Sequence, residues 1–271
     1  MTVSGHVAAT VDLNADAGES FGSYVLGQDA SLIPLVTSVS VACGFHAGDP
    51  GVMRDTVRLA REHGVAVGAH PGFPDLMGFG RREMRLSAQE VEDLVVYQIG
   101  ALAGVAAAQG VALQHVKPHG ALYNMAASDP DLAAAVARAV AAVDATLLLV
   151  GLSGSALVDA GRRAGLRTAS EVFADRSYEP DGTLTPRLRA GAVLHDEARV
   201  AARALSMVRD RSVAASDGSR VALQVDTICL HGDTRGAANL ARRVRAALEE
   251  GGVLVQPMRR AARNGDSSAR G

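Results

Sequence analysis

Short apolar runs bounded by glycine, proline or polar clusters recur at residues 7–16, 38–45, 65–70, 113–118, 146–152, 166–175, 222–231 and 253–257. Between them, apolar residues return every three or four positions. Runs of this length predict strands buried on both faces, and the helical period predicts helices linking them, the alternation of a parallel sheet. Several helix ends are written locally. Asp49-Pro50 offers an N-cap followed by a first-turn proline, Ser87 to Glu90 reads as a capping box, and Asp129-Pro130 opens another helix. Gly64 and Gly110 stand where two of these helices should stop.

Strands and helices alternating over about 250 residues, with no proline- or serine-rich linker, favour one closed β/α barrel over two domains. The domain expected is 1–258, with 259–271 as a frayed tail. The alternative is an open doubly wound sheet, but the first strand runs into LNADAGESFG, which lacks the G-x-G-x-x-G spacing of that fold. Two glycine-rich stretches, 71–84 and 176–196, follow strand ends and are too long for simple connections. Loops of that length in a compact domain are usually functional lids or disordered segments.

Residues two apart in a strand share a face. Asp12, Asn14 and Asp16 therefore point the same way from the first strand, and His115, Lys117 and His119 from the fourth. His46 falls just past the second strand, His70 ends the third, Glu171 and Asp175 lie on the sixth, and His231 and Asp233 follow the seventh. A barrel gathers such positions into one ring at its C-terminal mouth. Each has a plainer alternative: a strand-end histidine is usually solvated or bonded to backbone, Asp49 and Asp233 are placed to cap helices, and Asp16 to make a turn. Together they favour a site.

Composition sharpens one of them. Of 27 lysines and arginines Lys117 is the only lysine, so its ammonium is kept where guanidinium would serve any surface need. A compact charge of that kind can hold a carboxylate or a developing oxyanion. The net charge of −2 and the scattered arginines argue against nucleic acid. No segment approaches the roughly 20 apolar residues of a membrane span and the start does not resemble a signal peptide, so the expected location is cytoplasmic. Cys43 and Cys229 lie in apolar segments and read as reduced, buried thiols. There is no G-x-x-x-x-G-K-[ST] phosphate loop and no G-x-S-x-G elbow, so ATP would need an unusual site or a partner chain.

The stretches DLNADAGESFG (12–22), ACGFHAGDP (42–50), GAHPGFPDLMGFGRR (68–82), HVKPHGALYN (115–124), EVFADRSYEPDG (171–182) and CLHGD (229–233) resemble, in order and spacing, the A-subunit family of bacterial 5-oxoprolinase, also called the lactam-utilisation protein family. Ala15 stands where that family commonly has cysteine, which argues against a thiol nucleophile there, and Ala17 where it has leucine. The resemblance implies a distorted seven-stranded β/α barrel like those of glycoside hydrolases and deacetylases, leaving one of the eight strands peripheral. It also implies ATP-dependent opening of 5-oxo-L-proline to L-glutamate, in a complex with the B and C subunits of 5-oxoprolinase.

On that basis Lys117 is expected to hold the substrate carboxylate or the activated oxygen, and His46, His70, His119 and His231 to exchange protons. Asp16 and Asp233 are expected to orient those rings or to bind magnesium with the nucleotide. Asn14, Glu171, Asp175 and the lid arginines Arg81, Arg82 and Arg176 are candidates for substrate binding. Asp16, His46 and His70 are also an adequate metal set, which supports a rival reading as a stand-alone metal-dependent hydrolase or deacetylase. A third reading is a non-catalytic subunit that binds 5-oxoproline for its partners.

Overall fold

The structure, a computed structural model, describes residues 9–232 and 236–259. Seven parallel strands close on themselves: β1 (Thr10–Ala17), β2 (Ser38–Ala42), β3 (Ala66–His70), β4 (Leu113–Val116), β5 (Leu148–Leu152), β6 (Arg167–Phe173) and, after a hairpin of β7 (Ser212–Ala214) with β8 (Arg220–Ala222), β9 (Thr227–Leu230), which pairs with both β6 and β1. The eighth expected strand is indeed peripheral. It is reduced to β10 (Leu254–Val255), which extends the sheet beside the start of β1. The expected strand at 222–231 is cut short because Arg220–Ala222 pairs back on Ser212–Ala214.

The helices among the described residues are α1 (Asp29–Leu32), α2 (Pro50–Glu62), α3 (Ala88–Ala107), α4 (Gly120–Ser128), α5 (Pro130–Asp144), α6 (Ala156–Arg163), α7 (Glu197–Asp210) and α8 (Ala237–Glu250). Their starts follow the sequence signals. Asp49 and Asp129 accept from two backbone N–H groups each at the entrances of α2 and α5, and Ser87 and Glu90 form a reciprocal capping box on α3. Neighbouring helices pack in pairs, α3 on α5, α5 on α6 and α7 on α8. No helix among the described residues is long and apolar enough to cross a membrane. The tail expected from 259 lies, apart from Arg259, outside the described residues.

Strand alternation divides two interiors. Val11, Leu13, Ala15 and Ala17 of β1 belong to the apolar layer, while Asp12, Asn14 and Asp16 are buried polar residues between them. Buried polar groups cost free energy unless hydrogen-bonded, so the polar interior must be a connected network.

Candidate active site

The network begins low in the barrel. Asp12 accepts hydrogen bonds from Thr37 (2.7 Å), Ser38 (2.8 Å) and Thr227 (2.6 Å), tying β1 to its two neighbours. Burial nevertheless pushes the Asp12 carboxyl above its usual range. Above it, His115 places Nε2 3.0 Å from the Ser40 hydroxyl and Nδ1 3.0 Å from the Gln114 side chain. Its ring lies over Gly68, where a Cβ would come within 2.2 Å of Nε2, so glycine is required on β3. Burial, with Lys117 nearby, pushes this imidazole down to about 3.

Lys117 follows β4 and is buried, 2% exposed. Its ammonium lies 2.7 Å from Asp16 Oδ1, donates to Asn14 Oδ1 (2.8 Å) and Glu171 Oε1 (3.1 Å), and approaches Cys229 Sγ at 3.1 Å. Asn14 in turn donates to Glu171 Oε1 (3.0 Å) and Thr227 (2.6 Å). Burial alone would discharge the ammonium, but the carboxylate of Asp16, with Cys229 and Glu171, outweighs it and holds Lys117 well above its ordinary value. Burial raises the Asp16 carboxyl too, but the neighbouring His70 ring and the Lys117 ammonium outweigh that and hold it well below the usual range. All three ammonium protons thus have acceptors within the chain. The Asp16 contact is an ion pair rather than a directed hydrogen bond, and Asp16 Oδ1, Glu171 Oε2 and the Tyr123 hydroxyl stay buried without a directed partner.

On the opposite wall four residues converge: Glu19 just beyond β1, His46 beyond β2, His70 at the end of β3 and His119 at the entrance of α4. Each offers one ligand atom, and these atoms lie within 4.8 Å of one another. Nδ1 of His70 is 2.7 Å from the Lys117 carbonyl and Nε2 of His119 is 2.8 Å from the Phe79 carbonyl. Carbonyls only accept, so both contacts are N–H donations, and they fix both tautomers. The inner nitrogens, His70 Nε2 and His119 Nδ1, then face each other at 2.9 Å. His46 stacks on His119 with ring centroids 3.8 Å apart, and neither of its nitrogens has a hydrogen-bond partner. Burial holds His46 and His119 well below the ordinary imidazole value.

The loop from 71 to 87 makes this wall. Phe79 sits in the left-handed region (φ 55°), unusual for a side chain of its size, and that turn brings its carbonyl to His119. Gly80 follows at φ 64°, and a Cβ there would fall 2.7 Å from His46 Cβ and 2.9 Å from His119 Cδ2. The loop is pinned to the start of α4, with Ala121 N–H donating to the Gly80 carbonyl (2.9 Å) and His119 N–H to the Pro71 carbonyl (2.8 Å). Asp75 locks it internally by accepting from Gly78 and from the Arg82 guanidinium.

These walls enclose the foot of a cavity of about 720 Å³ at the barrel mouth, reached by Asp16, His70, Lys117, His119, Glu171 and His231. Its rim carries Arg81, Arg176 and Arg187. Arg176 is buried and donates to the Thr185 (2.6 Å) and Ala192 (3.2 Å) carbonyls. Burial and the neighbouring charge of Arg187 bring it down to about 10. Arg81 lies over the Phe79 ring at 4.8 Å. Arg82, expected beside it, is instead committed to Asp75. His231 sets Nδ1 2.9 Å from Asp175 Oδ2, stacks on Phe173 (centroids 5.4 Å) and leaves its other nitrogen for the cavity. Burial raises the Asp175 carboxyl, and His231 outweighs that and holds it low. Asp233 lies outside the described residues.

Of the metal set read from the sequence, His46 and His70 fall in one group with Glu19 and His119, and Asp16 in a second with Cys229 and His231. Four contributors do not stand out in the sequence as site residues: Glu19, Tyr123, Arg187 and Cys229. Glu19, Tyr123 and Cys229 all lie within the motifs that carry the resemblance, which is the signal the sequence offers for them. Chemically, the arrangement offers an oriented imidazole, buried carboxylates paired with one ammonium, and guanidinium groups at the rim. That suits proton transfer on a small anionic substrate.

Curated relatives resemble nearly the whole chain. The 5-oxoprolinase A subunit from Tolumonas auensis is 58% identical over 92% of this chain and 100% of its own length. Its counterpart from Geobacillus kaustophilus is 59% identical over 93% and 98%. Among solved structures, the lactam utilization protein from Thermus thermophilus superposes with a TM-score of 0.87 at 52% identity, covering 92% of this chain and all of that one. A putative cellobiose-phosphate cleavage protein from Enterococcus faecalis, at 16% identity and TM-score 0.52 over 92% of this chain and 97% of that one, shares the fold alone. The model of the LamB/YcsF family matches residues 11–263, and with relatives this similar over nearly its full length, the chain belongs to the LamB/YcsF family.

Proposed function

We propose that the protein is the A component of a 5-oxoprolinase, opening 5-oxo-L-proline to L-glutamate at the expense of ATP, together with two partner chains of types B and C. The names of relatives near 58% identity support the activity and the assembly. The observation that carries the reading is the buried set Asp16, Glu171 and Tyr123, which lines the cavity together with Lys117 and carries oxygens without a directed partner. 5-Oxoproline, a five-membered lactam, presents one N–H donor, one ring carbonyl and one carboxylate. Glu171 Oε2 or Asp16 Oδ1 accepts from the ring N–H, the Tyr123 hydroxyl donates to the ring carbonyl, and the rim arginines take the carboxylate.

Lys117, saturated by protein acceptors, serves in this reading as the counter-charge beside Asp16 and Glu171 rather than as the substrate clamp. An unstrained lactam resists hydrolysis, so its carbonyl oxygen first receives a phosphoryl group from ATP, releasing ADP. Water then adds to that carbon with its proton passing to His231, which Asp175 orients. The C–N bond breaks, the nitrogen takes the proton, and the resulting acyl phosphate is hydrolysed to the glutamate side chain and phosphate. The cavity is far larger than the lactam and leaves room for the phosphate end of a nucleotide. Magnesium would accompany that nucleotide.

The test is glutamate formation from 5-oxoproline and ATP by the chain alone and after mixing with both partners. Glutamate should appear with the complete mixture, and its absence there sinks the reading. The convergence of His46, His70, His119 and Glu19 keeps a second reading in play, a metal-dependent amide hydrolase working without ATP. Chelator-sensitive turnover without nucleotide would favour it.

A further inference from the structure

The lactam reading uses one side of the cavity and leaves three histidines and a glutamate unexplained. We propose that Glu19, His46, His70 and His119 form a binding site for one divalent first-row transition-metal ion, with zinc the best match to so nitrogen-rich a set. Two independent observations carry this. The first is the contact between His70 Nε2 and His119 Nδ1 at 2.9 Å. Each ring has its outer N–H engaged by a main-chain carbonyl, at 2.7 and 2.8 Å, so two lone pairs are driven together unless a cation lies between them. An imidazole whose far N–H is held by a backbone carbonyl is the usual preparation of a metal-ligating histidine. Two nitrogens on a tetrahedral zinc ion stand about 3.3 Å apart, so the pair need open by only about 0.4 Å.

The second observation is His46, 0% exposed, with both ring nitrogens lacking a partner. A buried polar group left unsatisfied costs on the order of 1–3 kcal/mol, and a ligand role answers that cost. While stacked on His119 with planes 3° apart, His46 cannot aim an in-plane lone pair at the same ion. His70, His119 and Glu19, whose Oε1 is 3.9 Å from His119 Nδ1, therefore bind first, and the His46 ring turns to complete the set. The competing account is a single proton shared between His70 and His119 and neutralised by Asp16, 3.4 Å from His70 Nε2. That account leaves both nitrogens of His46 stranded.

The inference does not rest on the lactam reading, because it is tested by metal content. The full chain is stripped with chelator, then titrated with Co²⁺ by visible absorption and with Zn²⁺ by elemental analysis after gel filtration. The expected result is one equivalent per chain, the d–d bands of a four- or five-coordinate cobalt ion, and affinity weakened about tenfold or more in His46→Gln and His119→Gln, with His231→Gln binding as the parent chain does. Absence of stoichiometric metal in the parent chain overturns the proposal even if the variants fail to fold. So do folded His46→Gln and His119→Gln proteins that bind as tightly as the parent. Loss of binding in His231→Gln alone overturns it too, by placing the ion at Asp16, Cys229 and His231.

Discussion

A buried ammonium with two carboxylates beside it is a strong commitment by one residue. Replacing Lys117 with methionine keeps the volume but leaves Asp16 and Glu171 without their shared counter-charge, 2.7 and 3.1 Å away. Urea unfolding of Lys117→Met should show a loss of about 3–5 kcal/mol. Adding Glu171→Gln should return part of that loss, because one of the stranded charges is gone; strict additivity of the two substitutions would contradict the arrangement. Asp175→Asn acts differently. It removes the charge that stabilises and orients His231 at 2.9 Å, so turnover of the assembled enzyme should fall about 10²- to 10⁴-fold with little change in KM. At this scale the sequence made Lys117 conspicuous, and two-residue spacing placed Asn14, Asp16 and Glu171 inside. That Lys117 is saturated was not legible, since its acceptors come from β1, β6 and β9 and their distances depend on closure. The same holds for Tyr123, whose place beside Glu171 follows from how α4 leaves β4.

Elements were legible where their ends carry local chemistry. The capping box at Ser87 is self-contained, so Ser87→Ala should cost about 1 kcal/mol in thermal or urea unfolding and leave activity unchanged. The hairpin of β7 and β8 is not legible in the sequence, because strands of three residues carry almost no period. The loop at 71–84, expected from its length to be a lid or disordered, is anchored through Asp75 and through the Gly80 carbonyl to α4. Its rigidity depends on Gly80, whose φ of 64° and missing Cβ let the chain pass both histidines. Gly80→Ala should therefore destabilise by about 1–3 kcal/mol and speed amide exchange around 78–82 well before the barrel strands open. Unchanged exchange there would show that the loop does not need this close approach.

The whole barrel inherits the sign of its buried groups. His115 is pushed down to about 3 from 6.5, so between those values the unfolded chain binds a proton that the native chain refuses. Stability must then rise with pH across that window, by up to about 1.4 kcal/mol per pH unit for each such histidine. His46 and His119, also held below 6.5, add in the same direction. Asp16 and Asp175, held below 3.8, extend the rise at more acid pH, whereas Asp12, raised above 3.8 by burial, works against it. At the alkaline end Lys117, held above 10.5, stabilises the native state until pH climbs past that value. The chelator-treated chain should thus gain urea resistance steadily from pH 5 to 7 and then level off. In His115→Gln, which keeps a polar partner for Ser40, the gain should shrink by one histidine's share. A urea midpoint flat from pH 5 to 7 would mean that these imidazoles take up protons inside the fold, and the polar interior of the barrel would then have to be hydrated rather than closed.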